Sequence, residues 1–472
     1  MAGGAQRGAS PSLTRRAASG AFWSVSGSVL SRLLTLAAAI FVARHLGAAA
    51  FGEYNLVLTT AGVLQALAGF GLGATAAKYL SGKYRLEPAA AGRVIGLSSV
   101  IAAGVGALAT GLLALSGPWI ARVVLNAPQL GGALRLGSLL LLFGSIQGAQ
   151  VGVLTGLERF RLLALVSVVA AVVTAPLLVL GASQGGTLGG VVGLVVSAAV
   201  TIALFGVAVR VATRASGIRP RYRGALAEWR ILFSYSLPAT LSNLLLAPVT
   251  WAASAILVNQ WDGLRELGLF SAANQWRNAI VFVATAIGAA LLPLFSHLHD
   301  SGRSRAFLEA FWASFILIGV MCMAAAGLLA ALAPVLMRSY GAEFASATTV
   351  LIVLVIAGAI AAPLSVVGNA MGGAGKMWLG FALNLAWAGA LLATAYALRS
   401  WGALGLSLAY LLAYLVHLFT SLGCLRLMAR EGSLKAGARA GAPIREPLSR
   451  RAGRPLGHSR APSEWRAGRS SW

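Results

Sequence analysis

The sequence predicts an all-α integral membrane protein of about twelve transmembrane helices, arranged as two parallel six-helix repeats that face a central cavity. Three observations lead there. The 472 residues are 58% hydrophobic and only 10% charged, with a mean hydropathy of +0.81, against roughly 25% charged in an ordinary soluble domain. Apolar stretches long enough to cross a bilayer recur along the chain. The chain also resembles itself when shifted by 216 residues.

A spanning helix needs about 20 mostly apolar residues at about 1.5 Å of rise each. The first stretch, residues 21–43, follows a basic tail (1–17) carrying Arg7, Arg15 and Arg16. It is too long for the apolar core of a signal peptide and Arg32 interrupts it, so it is expected to remain in the protein as a span. The second (55–77) runs into a loop with Lys78, Lys83, Arg85 and Arg93. The third (94–115) and fourth (133–154) are joined through Arg122 and Arg135, and Arg159 and Arg161 follow. The fifth (162–180) and sixth (187–209) lead to a strongly basic segment with Arg210, Arg214, Arg219, Arg221, Arg223 and Arg230. In the second half come residues 231–258, 268–291, 310–332, 347–369, 377–398 and 403–426.

The charges then sort by side. Lys and Arg mark cytoplasmic flanks, and loops rich in them alternate with loops holding Arg44, Arg265, Arg338 or Arg399 alone. This alternation predicts both termini in the cytoplasm. It also accounts for the net charge of +25 as a topology signal plus a basic tail, without the single basic patch that nucleic acid would require. The predicted organisation is therefore a tail (1–17), an N-terminal six-helix bundle (18–210), a basic cytoplasmic linker (211–230), a C-terminal bundle (231–426) and a disordered basic tail (427–472). Cys322 and Cys424 lie in apolar stretches and read as packing residues; neither a metal motif nor a cofactor is expected.

The shift of 216 residues pairs Gly47 with Gly263, Gly52 with Gly268, Gly156 with Gly372 and Leu188-Gly189 with Leu404-Gly405. It superimposes six spans on six. Because the offset covers an even number of spans, the repeats are parallel, and a substrate site is expected at mid-membrane between them.

Two basic residues are not explained by sidedness, Arg32 and Arg277. Arg32 lies about eleven residues from either end of its span, about 16 Å deep by helical rise, where an arginine costs about 2.5 to 3.5 kcal/mol on insertion scales. No Asp or Glu sits in the middle of any span. A water-filled cavity, backbone carbonyls or an anionic ligand must then offset the charge. Ser24, Ser28, Arg32 and Thr35 form one polar stripe at spacings of three and four, and the eighth span repeats the pattern with Ser271, Asn274, Asn278 and Thr285 beside Arg277. Gln65 and Asn243 lie at similar depth. These residues are the candidate substrate-binding set: Arg32, Arg277, Asn274, Asn278, Asn243, Gln65 and Ser28. Under the shift Arg32 meets Pro248 and Arg277 meets Ala61, so the charges do not belong to the repeated scaffold.

The run RHLGAAAFGEYNLVLTTAGVLQALAGFGLGATAAKYLSG, with Leu46, Gly47, Gly52, Tyr54, Gly71, Leu72 and Gly73, resembles the hallmark of bacterial polysaccharide-transport flippases, within the superfamily of multidrug and oligosaccharidyl-lipid exporters. GLFSAANQWRNAIVFVATAIGAALLPLFSHL, LTGLERFRLLAL and WGALGLSLAYLL extend the resemblance to about Arg426. It implies a transporter, not an enzyme: one that moves a polyprenyl-pyrophosphate-linked oligosaccharide across the bacterial plasma membrane by alternating access. It implies too that Ser31 and Arg32 match a serine-arginine pair lining a cationic cavity. A polysaccharide polymerase and glycosyltransferases of the same pathway would be partners, and the basic tail would meet anionic lipids. Two other functions compete. A drug or metabolite antiporter would want a carboxylate inside the membrane, and a membrane polymerase or ligase would want a substantial external loop, whereas the longest runs only about residues 116–132.

Overall fold

The computed structural model of the protein describes residues 11–68, 72–81, 87–222, 245–288 and 291–440. The chain divides into two compact units, residues 1–422 and 423–472; the first contains the fold discussed below. Among the described residues no strand occurs. Helix is what the composition demands, because in hydrocarbon each backbone N–H and C=O must find its partner inside the chain.

In order, the helices are α1 (Pro11–Ala68), α2 (Leu72–Ser81), α3 (Pro88–Trp119), α4 (Gly131–Gly137), α5 (Leu139–Gly156), α6 (Phe160–Ala215), α7 (Leu246–Val258), α8 (Gly263–Gly288), α9 (Leu291–Asp300), α10 (Ser304–Ala331), α11 (Ala333–Tyr340), α12 (Thr348–Gly373), α13 (Met377–Ala397) and α14 (Gly402–Ala440). Among the described residues eight helical stretches are long and apolar enough to cross a membrane, or nine if α8 and α9, bent by 41° where they meet, form one span. Of the predicted seventh span only α7 is described; the rest lies outside the described residues. The other predicted spans fall on described helix, except residues 69–71 and 289–290, which also lie outside.

Two expected loops are absent as loops. The first and second spans run through one helix, α1, broken only at Gly47 (φ 75°, ψ 174°). The fifth and sixth share α6, broken at Gly185 and Gly186 (φ 55°, ψ −139°). In both places a glycine of positive φ, Gly47 or Gly186, turns the chain in a conformation closed to most side chains, and no longer connection is needed. The basic linker is partly docked as well. Arg221 donates its backbone N–H to the Gly92 carbonyl at 2.9 Å, and a Cβ on Gly92 or Gly96 would collide with the carbonyls of Arg219 and Arg221. Nearby Ile218 joins the buried cluster of Leu80, Ile95, Leu154 and Phe205. Helix α14 continues past residue 426 to Ala440, so helix replaces the first part of the expected tail; residues 441–472 lie outside the described set.

The 216-residue repeat is visible in the backbone. Gly186 (φ 55°, ψ −139°) and its counterpart Gly402 (φ 59°, ψ −138°) share one unusual conformation. The helical segments that follow each glycine are tethered alike: Thr187 donates its hydroxyl to Glu53 Oε2 at 2.7 Å, and the Ala403 N–H donates to Glu266 Oε2 at 2.7 Å. The halves also meet through repeated positions. A Cβ on Gly52 would fall on the Leu264 carbonyl, and one on Gly268 would fall on the Ala48 carbonyl, two contacts related by the same shift. Glycine at both points lets α1 and α8 cross backbone to backbone.

Candidate functional site

The site is built from α1 and α8, the two helices that join the halves. The break at Gly47 frees the N–H of Ala48, and Glu343 of the second half accepts it at 2.9 Å. A carboxylate at a helix start answers both the unpaired donor and the positive end of the dipole. Phe51 packs edge-on against Phe344, with centroids 6.0 Å apart. Asn259 donates to the Val124 carbonyl at 2.9 Å, and Trp251 donates its ring N–H to the Thr60 hydroxyl at 2.9 Å. These contacts tie the halves at one end and run inward towards the middle of α1.

There the guanidinium of Arg32 lies over the ring of Phe282 on α8, 4.7 Å from its centroid. Arg32 is exposed, and among the described residues it has no hydrogen bond or ion pair. Its contact with Phe282 directs it at the opposite half. Ser28, one turn earlier, is also exposed. The hydroxyls around them are only partly available: Thr35 of the stripe and the neighbouring Ser31 turn theirs back onto the Ser31 and Gly27 carbonyls, both at 2.8 Å, the usual local bond of such residues in helices. The side chain of Ser24 lies outside the described set.

Arg277 sits differently, although the sequence pattern treats it as Arg32's equal. It is buried, at 8% exposure. Its Nε donates to Asn274 Oδ1 at 2.6 Å, one terminal nitrogen to the Tyr414 hydroxyl at 2.8 Å and the other to Asn278 Oδ1 at 2.9 Å. The rings of Tyr410 and Tyr414 lie 4.9 and 5.8 Å from its guanidinium carbon. So the structure brings Arg277, Asn274 and Asn278 together and engages them with one another inside the C-terminal half. The two arginines do not line one open chamber. Their angular positions explain it: Phe282 lies five residues beyond Arg277, about 140° around the helix, so α8 shows Phe282 to Arg32 and turns Arg277 to α14.

Gln65 donates to the Ser145 hydroxyl at 3.2 Å, within the N-terminal half, while its side-chain carbonyl is buried without a partner. It faces α5, where Ser145 lies. Asn243 lies outside the described residues. Tyr410, Tyr414 and Phe282 were absent from the sequence-derived set. Tyr410 and Tyr414 do stand four apart on one face of α14, but aromatic residues inside apolar spans carry no signal that separates a guanidinium cage from packing.

Among the described residues Glu53, Asp262, Glu266, Glu309 and Glu343 sit near helix starts or beside the Gly47 break. Glu53, Glu266 and Glu343 hold the contacts described above, and the ion pairs Arg265–Asp262 (3.5 Å) and Arg305–Glu309 (2.9 Å) lie at helix starts. Among the described residues no group of three or more His, Cys, Asp or Glu side chains gathers to hold a metal ion.

Residues 17–299 match the family described as polysaccharide biosynthesis protein. The EPS I polysaccharide export inner membrane protein EpsE of Ralstonia nicotianae is 27% identical over 313 residues, covering 65% of this chain and 71% of that protein. Its counterpart from Ralstonia solanacearum is 26% identical over 314 residues, with the same coverage. Among solved structures, an inward-facing multidrug resistance MATE family transporter of the MOP superfamily superposes with a TM-score of 0.68 at 15% identity, over 89% of this chain and all of that one. The lipid II flippase MurJ in an inward closed conformation gives 0.68 at 13% identity, over 85% and 87%. Two parallel helical repeats, the paired glycines and a match across most of the first 300 residues agree: the chain is a multi-pass membrane protein with a MOP-type transporter fold, and it belongs to the polysaccharide biosynthesis protein family.

Proposed function

We propose that this protein flips a polyprenyl-pyrophosphate-linked oligosaccharide from the cytoplasmic to the outer leaflet of the bacterial plasma membrane, with Arg32 as the contact for the phosphates. The observation that carries the reading is the state of Arg32. It is a permanent charge in the middle of a membrane helix, pointed at the opposite half, with its N–H groups unoccupied among the described residues. A pyrophosphate supplies the acceptors that it lacks, through charge-assisted and bidentate bonds. Ser28 lies one turn away to meet a sugar or phosphate oxygen. Arg277 contributes its fixed charge from within the second half, and Asn274 and Asn278 hold it in place. The names of the Ralstonia relatives, polysaccharide export inner membrane proteins, support the substrate class and the membrane. In the orientation set by the basic loops both termini are cytoplasmic, and the glycine contact closes the outer side.

The drug antiporter reading is disfavoured because the carboxylates nearest the interface, Glu53, Glu266 and Glu343, already accept hydrogen bonds at helix ends. The test compares Arg32→Gln and Arg32→Lys with the parent chain at matched membrane levels, by the leaflet in which lipid-linked oligosaccharide accumulates. Arg32→Gln is expected to trap substrate on the cytoplasmic face. Arg32→Lys should flip partially, since it keeps the charge and loses the fork. Parental flipping in both variants overturns the assignment.

A further inference from the structure

We infer that Phe282 is a positioning residue for the phosphate contact: its ring holds the Arg32 guanidinium between the two halves by its π face, leaving N–H groups of the fork to meet the oxygens of a pyrophosphate. The inference rests on the reading of Arg32 given above and adds the partner through which the second half takes part in binding.

Geometry carries it. The guanidinium carbon stands 4.7 Å from the Phe282 centroid, well inside the distance at which a cation is held by a ring face. Stacking uses the flat face of the guanidinium, whereas its N–H groups lie in the plane and point outward along the edge. An aromatic ring and a phosphate can therefore engage one arginine at once, the first from above and the second in plane. A hydrogen-bond acceptor would instead have filled the edge, as Asn274, Asn278 and Tyr414 do for Arg277. Phe282 restrains the longest and most flexible side chain of the site without consuming its donors, and this reduces the ordering cost that a ligand would otherwise meet.

The contact also crosses between halves. Arg32 belongs to α1 and Phe282 to α8, so a ligand on the Arg32 edge binds best when the two helices stand at this separation. Moving α8 away removes the ring and loosens the arginine. Phosphate affinity is thereby tied to the relative position of the halves.

The test uses the full-length chain in nanodiscs of phosphatidylcholine with farnesyl pyrophosphate as the probe, titrated to obtain Kd. Phe282→Leu keeps an apolar side chain of similar bulk and removes the ring face; it is expected to weaken binding about fivefold, within the range of a partly desolvated cation–ring contact. Phe282→Tyr and Phe282→Trp should bind within about twofold of the parent because both restore a ring face. In an Arg32→Gln background, Phe282→Leu should change nothing further. Equal losses from Phe282→Leu in both backgrounds would assign the ring to packing and overturn the inference. If Arg32→Gln weakens binding while Phe282→Leu does not, the positioning role fails and the phosphate contact stands. Unchanged binding in Arg32→Gln removes both.

Discussion

Replacing Arg277 by Met would leave Asn274, Asn278 and the Tyr414 hydroxyl without their shared donor, and all of them lie in or beside the buried interior of the second half. Among the described residues Arg32 has no such bonds to lose. Arg277→Met is accordingly expected to lower stability on the order of 3 kcal/mol, the size expected when hydrogen bonds to a buried charged group are broken. Arg32→Gln should leave the thermal midpoint of the purified full-length chain close to the parent's. If the two variants shift it equally, the contrast drawn between a caged and a poised arginine is wrong. Sequence alone flagged both residues, because a charge amid apolar neighbours is visible at any alignment depth. It was unable to separate them, since the residues that decide the matter, Tyr414 and Phe282, lie 137 positions from Arg277 in one case and on the opposite half from Arg32 in the other.

At the scale of helices, the glycines of the repeat do three different jobs. Gly52 and Gly268 allow close approach; Gly47 breaks a helix; Gly186 and Gly402 adopt a backbone conformation suited to glycine. Each supports a separate expectation. Gly52→Val would push α1 from α8 at the Leu264 carbonyl. A cysteine at Thr60, a position now buried, in a chain with Cys322 and Cys424 changed to Ala, should then react faster with an impermeant maleimide added outside. Unchanged labelling of a folded protein would show that the glycine contact does not close that end. Gly186→Ala and Gly402→Ala should each cost about 1–3 kcal/mol as backbone strain, read as a decrease in thermal midpoint. The Gly402 variant should suffer more, because its Cβ would press on the Glu266 carboxylate. The spacing of these glycines was legible as a repeat, and the spans were legible as apolar length. The reduction of two expected loops to glycine breaks inside α1 and α6 was not, because hydropathy locates the apolar stretch and says little about how short the non-helical link between two stretches is.

For the whole molecule, the placement of acids bears on how movement is driven. Glu53, Glu266 and Glu343 hold helix ends and interhelical contacts, and no Asp or Glu occupies the middle of a predicted span. Transport of the proposed anionic substrate should therefore not depend on a carboxylate proton relay. A variant carrying Glu53→Gln, Glu266→Gln and Glu343→Gln keeps hydrogen-bond acceptors at all three places, and should retain flipping within a few-fold of the parent across mildly acidic to neutral pH. Loss of transport in this variant, with its fold intact, would place a proton-carrying acid in the cycle. The twofold arrangement of the contacts, with Gly52 against Leu264 and Gly268 against Ala48, has a consequence for ancestry. A surface that is its own complement lets two copies of one six-helix unit dock before any covalent connection exists. The present chain then reads as a fused pair whose docking surface stayed symmetric while its arginines diverged, and the two halves, produced as separate polypeptides in one cell, retain the means to find each other.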